Sequence, residues 1–185
     1  RITRDSHNIW PFFLSALSQL NPDKRKSTAR DLRTISGVCF QTEDWIFDLY
    51  HSPNGRDHVE RIIKSIEAVL SDEGWLSERD PLGQYNPRKI RDILELLLCI
   101  CRLKKEDPTI LDCNAPRTKQ LVKRLKKIDF DMRMMEENGL LNHTFNSRLG
   151  ITAPEAYSRV NPVIYALIET LSGGGQVSLI GFSDK

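Results

Sequence analysis

The chain has 185 residues, enough for one domain that buries roughly 70% of the surface its unfolded chain exposes and needs no covalent staple. Its 27 basic and 25 acidic residues leave a formal charge of +2, which excludes the strongly cationic character that favours non-specific nucleic-acid binding. Any electrostatic function must therefore come from local clustering. No apolar run approaches the ~20 residues that span a bilayer, and no signal peptide begins the chain, so no membrane partner is expected. Cys39, Cys99, Cys101 and Cys113 lack zinc-ribbon spacing and read as free thiols in a reducing, cytoplasmic or nuclear compartment. The start at Arg1 and the stop just after an apolar stretch suggest a piece of a longer protein.

Punctuation divides the chain into about seven or eight helical candidates. Asn21-Pro22-Asp23 and Asn86-Pro87 each put a capping side chain before a proline whose missing N–H costs nothing in a first helical turn. After Thr42, Glu43 and Asp44 favour the positive end of a short helix carrying Trp45, Ile46, Phe47 and Leu49. Ser52-Pro53-Asn54-Gly55 reads as a turn. From Arg56 to about Asp72, Val59, Ile62, Ile63, Ile66, Val69 and Leu70 recur at intervals of three and four, the cleanest amphipathic helix in the chain. The stretch from Arg88 to about Lys104 is apolar around most of its circumference and should be a central helix.

Between Pro116 and Lys127 the basic residues Arg117, Lys119, Lys123, Arg124, Lys126 and Lys127 occur with no acidic residue among them. On a helix, Leu121, Val122, Leu125, Ile128 and Met132 share one face, and Lys119, Lys123, Lys126 and Lys127 share the opposite one. Such a face suits phosphates, an acidic protein surface, or simply solvent. Asp129, Asp131, Glu136 and Glu137 follow closely, and no aromatic pattern for base stacking was evident beside the lysines.

Toward the end, Thr152 and Glu155 form a capping-box pattern, Pro162 is expected to break or kink the following helix near Asn161, and Gly173-Gly174-Gly175 closes it. Gln176–Phe182 alternates enough to be a strand. The organisation expected is thus a helical domain over 1–172, followed by a glycine joint and an extended segment over 173–185. The fold class is all-α, an irregular bundle or short stack with one C-terminal extended segment.

Two family resemblances touch this region. Phe145-x-x-x-Leu149-Gly150-Ile151-Thr152 resembles the turn of a helix-turn-helix element, with Asn146 where a small residue is wanted and Arg159 where a hydrophobe is wanted. Gly150-Ile151-Thr152, Glu155-Ala156, Val160, Val163-Ile164, Ala166, Glu169, Leu171, Gly174 and Val177-x-Leu179-Ile180-Gly181-Phe182 resemble the N-terminal half of the HU/IHF family of DNA-bending proteins. The resemblance implies a helical dimer base and a strand entering a sheet, and it assigns no DNA-contacting residue, because the family's DNA-binding arms come later. Pro154, Pro162 and Ser183-Asp184 depart from the family.

His7, His51, His58 and His143 are widely separated, and none forms a His-Glu-x-x-His pair, so no metal site, cofactor site or catalytic constellation is expected. Arg1 and His7 have the spacing of an element in helical HEPN ribonucleases, but at a terminus rather than within a late helix. Trp10-Pro11-Phe12-Phe13 cannot place all its apolar side chains on one buried face, which makes Trp10, Phe12 and Phe13 candidate partner anchors. The functional expectation is a non-catalytic protein-interaction or scaffold domain of a larger protein. The alternative is a helical nucleic-acid-binding protein using the basic helix, and a third reading is a helical nuclease-type enzyme. Another protein is the expected partner, with self-association through the C-terminal strand as a further route.

Overall fold

The computed structural model describes residues 15–21, 23–39, 45–71, 87–139, 144–146, 151–152 and 156–173. The fold is all-α, as the periodicity predicts. Its helices are α1 (residues 15–19), α2 (Arg25–Cys39), α3 (Trp45–His51), α4 (Gly55–Leu70), α5 (Pro87–Cys101), α6 (Pro116–Glu137) and α7 (Ala156–Leu171), and a 3-10 turn, Arg102–Lys105, follows α5. No helix of the described residues is long and apolar enough to cross a membrane. Trp10, Phe12, Phe13 and residues 174–185, with the expected C-terminal strand, lie outside the described residues.

The chain divides into two compact units that interleave in sequence: residues 1–75 with 95–110, and residues 76–94 with 111–185. α5 is one continuous helix whose first half belongs to the second unit and whose second half belongs to the first.

In the first unit α2 and α3 both pack against α4. The three-and-four spacing of α4 buries Val59, Ile62, Ile63, Ile66, Val69 and Leu70 together, against Leu32 and Ile35 of α2 and Trp45, Ile46 and Leu49 of α3. At ~1.5–3 kcal/mol for each fully buried large apolar side chain, this stripe is the main force holding the three helices together. The turn between α3 and α4 is unusually tight. Asn54 adopts the left-handed conformation at φ 58°, and Gly55 N–H donates to Ser52 O at 2.9 Å. A Cβ on Gly55 would lie 2.6 Å from the Tyr50 carbonyl carbon and closer still to the carbonyl oxygens of Leu49 and Tyr50, so only glycine fits.

Around Asn21 the outcome differs from the sequence expectation. Asn21 Oδ1 accepts from Asp23 N–H at 3.0 Å, closing an Asx turn, and α2 begins only at Arg25. The side chain is spent on a local turn rather than on the helix start.

In the second unit α6 lies along α7. Pro116 opens α6 at its first position, and Asp112 Oδ1 accepts from Asn114 N–H at 3.1 Å in the turn before it. Leu121, Leu125, Ile128 and Met132 of α6 are buried, as are Val160, Ile164, Leu167 and Leu171 of α7. Val122 is only half-buried.

The break expected at Pro162 and the cap expected at Thr152 are not found. α7 runs through Pro162 to Leu171 without a break. An interior proline costs ~3 kcal/mol, but four apolar side chains on one face, at ~1.5–3 kcal/mol each, outweigh that. Thr152 is not a helix cap: it pairs with Thr144 in a short antiparallel ladder of β1 (Thr144–Asn146) and β2 (Ile151–Thr152), and α7 starts at Ala156. Phe145 and Ile151 of the helix-turn-helix-like pattern therefore sit in paired strands. Of the HU/IHF-like stretch, Ala156–Leu171 is helical, and Gly174–Phe182 is outside the described residues.

Candidate functional site

The basic cluster lies on α6. Lys119, Lys123, Lys126 and Lys127 are exposed, whereas Arg117 and Arg124 are half-buried, so the six cations do not form one uniform surface. Lys127 Nζ reaches Asp131 Oδ2 at 3.2 Å, one turn on. Among the described residues no carboxylate pairs with Lys119, Lys123 or Lys126.

The same face continues past the lysines into apolar side chains. Phe130 follows Lys126 by four residues and is 59% exposed; Met134 follows Phe130 by four and is 39% exposed. Beside this line, Arg133 Nη2 donates to buried Asp129 at 3.2 Å and to the hydroxyl of Tyr165 on α7 at 3.2 Å. Tyr165 is itself 46% exposed. Phe130, Met134 and Tyr165 are the large hydrophobic side chains that stand exposed among the described residues, and all three belong to the α6–α7 pair. An aromatic does accompany the lysines, and its spacing is the signal that marks it: Phe130 lies eleven residues, about three helical turns, after Lys119 and so falls on its face.

A second polar constellation sits in the first unit around Asp107, a buried carboxylate. Tyr50 OH donates to Asp107 Oδ2 at 2.9 Å, and Thr109 gives Oδ1 both its N–H, at 3.0 Å, and its hydroxyl. Arg56 Nη2 lies 3.7 Å from Oδ2 and donates to Thr109 Oγ1 at 3.0 Å. Next to this group, His51 Nε2 and Glu106 Oε2 are 2.7 Å apart; both side chains are largely exposed, and the nitrogen must donate because an ionised carboxylate only accepts.

Residues 57 positions apart thus fasten the end of α3 to the turn after the 3-10 segment. Hydrogen bonds from Thr109 and then Tyr50 hold the Asp107 carboxyl below its usual range, and donation to Asp107 raises the Tyr50 phenol. These shifts make Asp107 a weaker base and Tyr50 a weaker acid, opposite to what acid–base chemistry near neutrality asks of them. The arrangement is suited to fastening rather than proton transfer.

Cys99, Cys101 and Cys113 form no disulfide among the described residues, and burial pushes the Cys101 thiol up to about 12, which keeps it protonated. No His, Cys, Asp and Glu group with metal-holding geometry occurs among the described residues. Comparison with known proteins gives no match to this chain, whether against family models, curated proteins or solved structures.

Proposed function

We propose that the chain is a non-catalytic protein-interaction domain whose docking surface is the outward face of α6. The observation that carries this reading is the run Lys119, Lys123, Lys126, Phe130 and Met134 along one exposed line. With Phe130 59% and Met134 39% exposed, each forfeits part of the ~1.5–3 kcal/mol that full burial is worth, and aromatic side chains ringed by polar groups are the usual anchors of protein interfaces. Trp10, Phe12 and Phe13 stay with this reading as further anchor candidates on sequence grounds alone.

The test is a photo-crosslinking residue at position 130, with Thr34 on α2, also exposed, as the control position. In nuclease-treated extract of the source cells, protein adducts should form at 130 and not at 34. Equal adduct yields at both positions would refute the reading.

The exposure of Lys119, Lys123 and Lys126 supports nucleic-acid binding as a second reading. It is the weaker one, because Lys127 is already engaged by Asp131 and the face turns apolar within the same helix. Phosphate binding declines steeply with salt, whereas an aromatic-anchored interface holds. Fluorescence anisotropy of single- and double-stranded RNA and DNA at rising salt separates the two.

A further inference from the structure

We propose that the partner of the α6 face is a short acidic amphipathic helix, its Asp or Glu side chains meeting Lys119, Lys123 and Lys126 and one large apolar side chain seated between Phe130 and Met134. The proposal rests on the interaction-domain reading above and goes on to name the partner's chemistry.

Charge is the first support. Lys119, Lys123 and Lys126 are exposed along the half of α6 nearer its positive dipole end, and among the described residues no carboxylate pairs with them, so that half presents one positive field to an incoming acid.

Geometry is the second. From Lys119 to Met134 the exposed line runs about 22 Å, the length of a partner helix of roughly four turns. The basic part covers the first half of that line and the apolar part the second, so a partner must be segregated in the same way, acidic at one end and apolar at the other. Of the nearby acids, Asp131 is held by Lys127 and Asp129 by Arg133, while exposed Glu137 lies beyond Met134 at the apolar end, leaving three lysines without a carboxylate among the described residues. Met134 adds a flexible, polarisable wall that adapts to the anchor it meets.

The experiment uses the full chain and labelled helical peptides of about 16 residues. One peptide carries Glu on one face of half its length and Trp and Leu on the same face of the other half, made in both chain directions. A scrambled peptide and one with Lys for Glu serve as controls, together with a nucleic-acid duplex of similar length. At least one direction of the acidic peptide should bind about tenfold or more tightly than either control. Phe130→Ala should weaken binding about tenfold or more without changing its salt dependence. K119E/K123E/K126E should weaken it and flatten the salt dependence, since these charges act chiefly through long-range attraction. Unchanged circular dichroism and urea midpoints would show that both variants remain folded.

Acidic peptides that bind no better than the scrambled one, or binding that ignores both variants, would overturn the proposal. So would a duplex that displaces the peptide and binds more tightly. If the peptides fail while position 130 still crosslinks to protein, the partner chemistry is wrong and the interaction domain stands. If crosslinking also fails, both fall.

Discussion

Two glycines of the first unit allow the same substitution to be tested with opposite signs. At Gly55 an added Cβ would meet backbone at 2.6 Å or less, against the 3.4–4 Å of an ordinary contact, so the α3–α4 turn must open by about 0.8 Å or more. The obstacle is the carbonyls of Leu49 and Tyr50, not the tip of a flexible side chain, and relief has to come from the main chain. Overpacking of this kind costs ~1–3 kcal/mol and sometimes more, while alanine recovers ~0.4–1 kcal/mol by restricting the unfolded chain. The net for Gly55→Ala is a loss of about 1–2 kcal/mol, or roughly 2–8 °C in Tm for a chain of this size. Gly37 in α2 is exposed and has nothing among the described residues within 4 Å of its added Cβ, so Gly37→Ala should gain ~0.5–1 kcal/mol from helix propensity. Urea unfolding followed by far-ultraviolet circular dichroism measures both. A Gly55→Ala midpoint equal to wild type, or a Gly37→Ala midpoint that falls, would refute the reasoning.

Thr118 Oγ1 is buried without a hydrogen-bond partner among the described residues, so Thr118→Val should stabilise the second unit by ~1 kcal/mol in urea melts. Leu125→Ala, in the fully buried stripe of α6, should cost ~2–5 kcal/mol by the same measurement. Asp107 has a folded pKa below its ordinary 3.8, so its contribution is present above that value and is lost as pH falls through the folded one; Asp107→Asn should remove this part of the acid limb of stability below about pH 4. Tyr50 has the opposite sign: its contribution holds below 10.0 and is lost as pH rises through the raised value, which absorbance titration against Tyr50→Phe will show as late ionisation. Cys101 should resist thiol reagents until the protein unfolds, and Cys101→Ser should lower the reactive-thiol count by one only in denaturant.

Helices with sustained apolar period were legible from the sequence: Val59 to Leu70 announces α4, and the near-continuous apolar run announces a buried α5, whose Ile93, Leu94, Leu96, Leu97 and Ile100 are all buried. What escaped depends on partners remote in the chain or on segments too short to show a period. Strands of three and two residues contain no alternation to detect, so Thr152 read as a cap. Pro162 read as a break because local backbone cost is visible in sequence, whereas the offsetting burial against α6 is not. The fastening of Tyr50 to Asp107 joins residues that no local pattern connects. The lysine face is legible from spacing and is exposed; its continuation into Phe130 has the same helical spacing, but an aromatic at such a position reads equally as core until its exposure is seen.

The interleaving of the two units bears on how the chain is made and handled. Because residues 95–110 complete a unit that begins near the N-terminus, that unit cannot close on the ribosome when its first 75 residues emerge; it must wait for α5 and the turn beyond it. By then the opening half of α5, which belongs to the other unit, has emerged as well, ahead of the residues it packs with. No single cut separates one intact unit from the other, so expression of either alone calls for splicing residues 95–110 onto 1–75 through a new linker, not for truncation.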